Sequence, residues 1–430
     1  KNRKAKRSAN NAVVEPLYTM EDADGVIRRF VPCHYNTIVE VCEGVKIRFT
    51  DIGHLLGSAS IEVWLTEDGN TKKIVFSGDI GNFNKPLIRD PIYTKEADYA
   101  VMESTYGDRF HQKGKDHISE LVRIVQETLD RGGNVVIPAF AVGRTQEVLN
   151  YIRIIKEKNL VTGHGVFPVY LDSPMAVEAT GVFKDNMMDC YNEETKELVK
   201  KGINPISFPG LHLSITSSDS VAINFNEEPK VIISAAGMCD AGRIRHHLKH
   251  NLWRPECTIL FAGYQAVGTL GRSIIEGREE VKLFGESIEV KARIEKIEGI
   301  SGHADETGLL EWVGSFMEKP SQVFVVHGDD TVCDAFAETV KETYGINAMA
   351  PFSGSSYDLK EGCFVTVTKG IPIQKPAVNE ATKKAAGVFA RLLAACDRLR
   401  RVVMHNEGGA NKDLARFADQ INSLCDKWDR

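Results

Sequence analysis

The feature that most constrains this chain is a short block that recurs along it. Each block is an apolar run followed by His, Asp or Glu, with glycine close by. Three blocks fall between Thr50 and Gly107: Asp51-Ile52-Gly53-His54-Leu55-Leu56-Gly57-Ser58-Ala59-Ser60, Ile74-Val75-Phe76-Ser77-Gly78-Asp79-Ile80-Gly81, and Tyr99-Ala100-Val101-Met102-Glu103-Ser104-Thr105-Tyr106-Gly107. Two more come far downstream, Ile300-Ser301-Gly302-His303-Ala304-Asp305 and Val323-Phe324-Val325-Val326-His327-Gly328-Asp329. A short apolar or β-branched run reads as a buried strand, and the glycine lets the backbone turn sharply or leave room beside a bound group. Strands that each deliver one ligand-type side chain to a common sheet edge make a site.

Between the third and fourth blocks the pattern changes. Ile118, Leu121, Val122, Val125 and Leu129 have helical spacing, and Gly132-Gly133 ends that helix. Four strand–loop–helix units follow, with strands at Val135–Phe140, Phe167–Leu171, Val231–Ser234 and Thr258–Ala262. Alternation of this kind predicts a parallel α/β unit whose strand-end loops face a crevice. Upstream, Thr37–Val41, Val45–Thr50, Ala59–Leu65 and Lys73–Phe76 read as strands, the last two joined by the hairpin signal Glu67-Asp68-Gly69-Asn70. We therefore expect a first part over 1–107, an insertion over 108–299, a return segment over 300–370 and a helical hairpin over 371–430. In that hairpin Phe389, Leu392, Leu393, Cys396, Leu399 and Val403 form one stripe, and Leu414, Phe417, Ile421, Leu424 and Trp428 another. The hairpin is expected to cap the core; a homodimer contact is its alternative use.

Composition narrows the class. With 430 residues, 43% hydrophobic and 26% charged, the chain is an ordinary globular one of more than a single average domain. No apolar run is long enough to span a bilayer and no signal peptide is visible, so no membrane partner and a cytoplasmic location are expected. The 9 cysteines are scattered with no Cys-x-x-Cys pair, which argues against a disulfide framework or a zinc ribbon. A net charge of −6 gives no global attraction for nucleic acid, though a local basic groove remains compatible with it.

His54, Asp79, Glu103, His303 and His327 are the candidate functional residues. Imidazoles with one carboxylate suit Zn²⁺, and Mn²⁺ less selectively. A carboxylate can bridge two ions about 3.5–4 Å apart, and such a pair clamps both the attacking and leaving oxygens of a phosphodiester. It also lowers the pKa of a bound water to about 7, so that hydroxide is available at neutral pH. A remaining His held by a carboxylate stays protonated more easily, which suits a general acid.

On these motifs, with Pro138-Ala139-Phe140-Ala141-Val142-Gly143-Arg144 added, the sequence resembles the β-CASP branch of the metallo-β-lactamase superfamily from about Pro16 to about Leu359. This branch includes RNase J and the endonuclease of pre-mRNA end processing. The resemblance implies a four-layer αββα metallo-β-lactamase fold, incomplete here, interrupted by a parallel α/β β-CASP domain. It implies two Zn²⁺, with Mn²⁺ as an alternative, RNA as substrate, His54 and His327 as ligands and Asp79 bridging. Glu103 and His303 would be the catalytic pair. Arg144, Ser173, Arg243 and Ser301 would lie on cleft loops and contact RNA phosphates, while Arg144 and Arg243 suit structural pairs equally well.

One departure stands out: the family's His-x-His-x-Asp-His motif does not occur in this sequence. His246 and His250, one helical turn apart, read as non-metal residues of the insertion. We expect the motif in an N-terminal portion that is absent from this sequence or present as a separate chain, and the sequence by itself to be inactive. A smaller departure is Ser234-Ala235-Ala236-Gly237, where the family more often has Ser or Gly at one of the alanines. Three functions are open at this point: a two-metal ribonuclease, a metallo-β-lactamase-fold hydrolase of another substrate, and a non-catalytic RNA-binding or scaffolding subunit.

Overall fold

The computed structural model describes residues 18–111, 116–297, 299–371 and 411–428, with the separate positions 396, 399, 400, 402 and 403. The chain divides into two compact units. One is residues 33–369; the other joins residues 1–32 to residues 370–430. In the second unit Met20–Ile27 is a helix whose Thr19 and Asp22 form a reciprocal cap. Asn411–Trp428 is also helical, so the second apolar stripe is a helix as expected. Of the first stripe, Phe389, Leu392 and Leu393 lie outside the described residues, and Cys396, Leu399 and Val403 are helical.

The larger unit is built on two sheets. The first has seven strands in the order β1 (Val39–Cys42), β2 (Val45–Asp51), β3 (Ala59–Glu67), β4 (Asn70–Phe76), β5 (Tyr99–Glu103), β14 (Gln322–Val326) and β15 (Ala348–Met349). β1 to β4 are antiparallel neighbours, and β4, β5, β14 and β15 run parallel. Asp68 and Gly69 have φ of +50° and +77°, which matches the twist of a tight hairpin between β3 and β4. Because β2 is two antiparallel steps from β4, the strands β2, β4, β5 and β14 all point the same way. Their carboxyl ends therefore share one edge. Every recurring block ending in His54, Asp79, Glu103 or His327 ends on that edge.

β14 docks directly on β5, with Val326 opposite Glu103. The sheet is held there by Val75, Ala100, Met102, Val323 and Val325 packing on Trp312 and Phe336, which come from helices Glu306–Gly314 and Asp330–Tyr344.

The second sheet is entirely parallel, in the order β13 (Arg293–Lys296), β10 (Thr258–Phe261), β6 (Val135–Pro138), β9 (Val231–Ser234), β7 (Val169–Asp172) and β8 (Leu211–Ser214). Its strands all lie between β5 and β14 in the sequence. β6, β9 and β10 are buried at every residue, as a strand covered on both faces must be. Each aliphatic side chain so buried contributes about 1.5–3 kcal/mol. The two edge strands do not appear as apolar runs: Leu-His-Leu-Ser in β8 and Arg-Ile-Glu-Lys in β13 are only partly buried.

Candidate active site

The His54 loop starts where β2 ends. Asp51 Oδ1 accepts from Gly53 N–H at 3.0 Å, and Ser58 Oγ accepts from the N–H groups of His54 and Leu55 at 3.1 and 3.2 Å. The loop after β4, which carries Asp79, is pressed against it. A Cβ at Gly81 would lie 2.1 Å from the carbonyl carbon and oxygen of Gly53, so only glycine permits this approach. The Asp305 loop is strapped to the same place: Ala304 N–H donates to Ile80 O at 2.7 Å, and Asn82 Nδ2 donates to Ser301 O at 3.0 Å and His303 O at 2.7 Å.

These loops bring five side chains together. The two carboxylate oxygens of Asp79 face different imidazoles, with Oδ2 3.7 Å from His54 Nε2 and Oδ1 3.6 Å from His327 Nδ1. His54 and His303 have ring centroids 4.4 Å apart, and His303 and His327 are 6.1 Å apart. Glu103 is buried. It accepts from Ile80 N–H at 2.5 Å and Thr105 N–H at 3.3 Å, and its oxygens lie 3.1 and 3.0 Å from His303 Nδ1. Thr105 Oγ1 sits 3.2 Å from His327 Nδ1.

The protonation states differ by environment. Burial, aided by the neighbouring His303 and Lys85 charges and only partly opposed by Asp79 and Glu103, pushes His54 down to about 4. Its imidazole is therefore neutral at pH 7, with a lone pair free to ligate. Burial also pulls His303 down, but the Glu103 hydrogen bond and charge, with Asp79 behind them, outweigh it and raise its pKa above the ordinary value. Adjacent imidazoles are thus tuned in opposite directions.

This donor set fits a divalent cation. A tetrahedral ion with bonds of about 2.0–2.2 Å holds its ligand atoms roughly 3–4 Å from one another, and both contacts of Asp79 fall in that range. They are too long for hydrogen bonds. No group among the described residues hydrogen-bonds the buried His54 Nδ1. Among the described residues, His54, Asp79 and His303 also offer three ligand atoms within 4.8 Å of one another. His303 can thus serve either as a ligand through Nε2 or as a proton donor, since Glu103 occupies its Nδ1 in both cases.

The residues expected on RNA-contacting loops are tied up within the fold. Arg144 Nη1 bonds Glu147 Oε2 at 2.5 Å. Arg243 pairs with the buried Asp172 at 2.7 Å and donates to the carbonyls of Ser214 and Ile215. Ser173 caps helix Pro174–Asp185 through Ala176 N–H. Ser301 Oγ accepts from His303 N–H at 3.2 Å. His246 stacks on Phe284 and His250 meets Phe225, away from the five-residue cluster. Sequence reasoning missed Asn82 and Thr105, although each lies within three residues of Asp79 or Glu103. It also missed a cavity of about 600 Å³ beside the cluster, lined by residues including Asn82, Lys85, His111, Tyr151 and Ser301.

Two family models match this chain. Residues 145–274 match the Beta-Casp domain, and residues 287–351 match the Zn-dependent metallo-hydrolase RNA specificity domain. Ribonuclease TTHA0252 of Thermus thermophilus is 34% identical over 74% of this chain and 70% of its own length. An RNase J-like protein of Methanocaldococcus jannaschii is 33% identical over 79% of this chain and 76% of its own. Transcription termination factor FttA of Methanosarcina mazei is 32% identical over 75% of this chain, which spans only 51% of that relative.

Proposed function

The chain belongs to the β-CASP branch of the metallo-β-lactamase superfamily, and from that premise we propose that it is a metal-dependent ribonuclease acting on RNA phosphodiester bonds. The observation that carries the proposal is Asp79, whose two oxygens face His54 and His327 separately while the Glu103–His303 pair stands beside them. The relatives named as a ribonuclease and as RNase J-like support the substrate class.

In this reading His54, Asp79 and His327 would hold two zinc ions, or manganese. Such cations lower the pKa of a water to about 7 and offset charge on the phosphate. Neutral His54 offers its lone pair. Glu103 fixes the ring of His303 and favours its protonated form, so that its Nε2–H can serve the leaving oxygen as general acid. Ser301 holds the His303 backbone, and Asn82 joins that segment to the Asp79 loop. The cavity between these residues and helix Arg144–Glu157 takes the single-stranded substrate next to the reacting phosphate. The two lobes are assigned to residues 1–107 with 300–370, and to 108–299.

The test is cleavage of single-stranded RNA by the full-length protein with Zn²⁺ or Mn²⁺. Asp79→Ala should abolish both cleavage and metal binding. His303→Ala should retain metal and lose kcat by about 10²–10⁴-fold, the range for a general acid. Loss of metal in His303→Ala would instead make His303 a ligand. Cleavage untouched by Asp79→Ala would remove the proposal.

A further inference from the structure

Lys85 and Glu147 come from the lobes of different sheets and meet at the His54 backbone carbonyl. Lys85 follows the Asp79 block, and Glu147 stands in the first turn of helix Arg144–Glu157, which belongs to the second sheet's lobe. The Lys85 ammonium is 3.2 Å from Glu147 Oε1 and donates to the His54 backbone carbonyl at 2.7 Å. Their side chains are only 9% and 7% exposed. The other oxygen of Glu147 holds Arg144.

We propose that Lys85 and Glu147 are positioning residues: a buried bridge by which the inserted lobe fixes the His54 loop in its ligating orientation. The inference rests on the metal-site reading given above. It explains why a cationic side chain is buried against a main-chain carbonyl in the first place. Holding that carbonyl sets the peptide plane after His54 and so pins the loop backbone that carries the imidazole.

The bridge has independent mechanical support. The segment that carries Lys85 is itself gripped by the inserted lobe. Asn192 N–H donates to Leu87 O at 2.8 Å, Asn192 Nδ2 donates to Lys85 O at 3.3 Å, and Ile88 pairs with Tyr191 in an isolated antiparallel bridge. Arg89 in turn reaches Asp51, at the root of the His54 loop, at 3.1 Å. The inserted lobe thus holds the His54 loop from Lys85 and from Arg89. Burial pushes the Glu147 carboxyl up, but the Arg144 and Lys85 charges more than offset this and keep it below its ordinary value, so the bridge is ionic. Removing Glu147 leaves the Lys85 ammonium buried without its counter-charge, whereas removing Lys85 leaves Glu147 paired with Arg144 alone.

The experiment is hydrogen exchange at the amides of Gly53 to Ser58, measured in wild type, Lys85→Met, Glu147→Gln, Lys85→Arg and the double variant Lys85→Met/Glu147→Gln. The first two variants should speed exchange there roughly tenfold or more, the effect of losing a hydrogen bond to a charged group. The amides of β6 and β9 should keep their protection. Lys85→Arg, which can still donate to both acceptors, should restore most of the protection. If a single variant fails to fold, the double variant, which buries no unpaired ammonium, carries the same comparison. In parallel, Mn²⁺ affinity should fall in both single variants, and kcat should fall with little change in KM. Unchanged exchange over Gly53 to Ser58 in the folded variants overturns the proposal. So does loosening by Lys85→Met without loosening by Glu147→Gln, because the inserted lobe then plays no part. A wild-type protein that never cleaves RNA defeats the ribonuclease reading alone, since the exchange comparison needs no substrate.

Discussion

His303 Nδ1 lies 3.0 Å from Glu103 Oε2, although the whole second sheet separates the two residues in the chain. Glu103 ends β5 and is almost fully buried. Its two acceptor bonds from Ile80 and Thr105 hold it at the one place where His303 can reach it. The pair is therefore built by the sheet edge and by the strap between Ala304 and Ile80, rather than by proximity along the chain.

The first prediction concerns the titration of His303. Burial acts to lower its pKa from 6.5, and Glu103 more than reverses this. A raised folded-state pKa means that the protonated ring adds stability which is complete below about pH 6.5 and is lost as pH rises through the folded value. In the metal-free protein, NMR titration should place His303 above 6.5, and Glu103→Gln should bring it below. A titration that does not move in Glu103→Gln would assign the upward shift to Asp79 instead.

Gly81 supplies the second. An alanine methyl there would sit inside the Gly53 carbonyl, so the His54 and Asp79 loops must separate. Overpacking of this kind costs about 1–3 kcal/mol, and here the displaced loops carry the proposed ligands. Gly57→Ala is the comparison: Gly57 has φ +83°, with open space where a Cβ would go, so it pays only backbone strain of about 1–2 kcal/mol. Urea unfolding should show both variants destabilised, and metal binding should be lost in Gly81→Ala only. Equal retention of metal would mean that the two loops can move apart without consequence.

Much of this site can be read from the residues alone, for a physical reason. His54, Asp79, Glu103 and His327 each follow a short apolar strand, and parallel strands in one sheet necessarily end together. The turn at Asp68-Gly69 was equally readable, because its backbone needs residues that tolerate positive φ. The roles of Arg144 and Arg243 were not readable in the same way. Whether an arginine faces RNA or an internal carboxylate depends on where Glu147 and Asp172 end up, and Asp172 arrives from a different strand. Lys85 sits in an irregular segment with no periodicity to flag it. The edge strands β8 and β13 lack apolar runs because one side of each has no neighbour to bury it.

Lys156 offers a third prediction, away from the cluster. It lines a cavity of about 320 Å³ at the end of helix Arg144–Glu157, with its ammonium 3.8 Å from the centroid of the Phe167 ring. Burial lowers its pKa from 10.5 to about 8. Between those values the unfolded chain binds more protons than the folded one, so this residue makes stability rise with pH across the window from about 8 to 10.5. Lys156→Met should remove that upward contribution, seen as a smaller gain in unfolding free energy between pH 8 and pH 10 than in wild type. An identical pH dependence in the two proteins would mean that the amine is fully solvated.

The last prediction separates ligation from backbone strain at His327. Its φ is +53°, in the left-handed region, where a side chain with a Cβ is disfavoured. The conformation is held from several sides: Ser104 N–H and Thr105 Oγ1 both donate to the His327 carbonyl at 3.3 Å, and Thr105 Oγ1 also meets the ring. Strain of this sort is retained where surrounding structure over-determines it, typically at functional sites. Glycine accepts the same backbone without penalty, whereas alanine does not. His327→Gly should therefore be more stable than His327→Ala by about 1 kcal/mol, while both variants should lose RNA cleavage and metal affinity to the same extent. Equal stability of the two variants, by chemical denaturation, would show that the backbone relaxes once the imidazole is gone. The left-handed turn would then be a product of ligand geometry rather than of the β14–β5 edge.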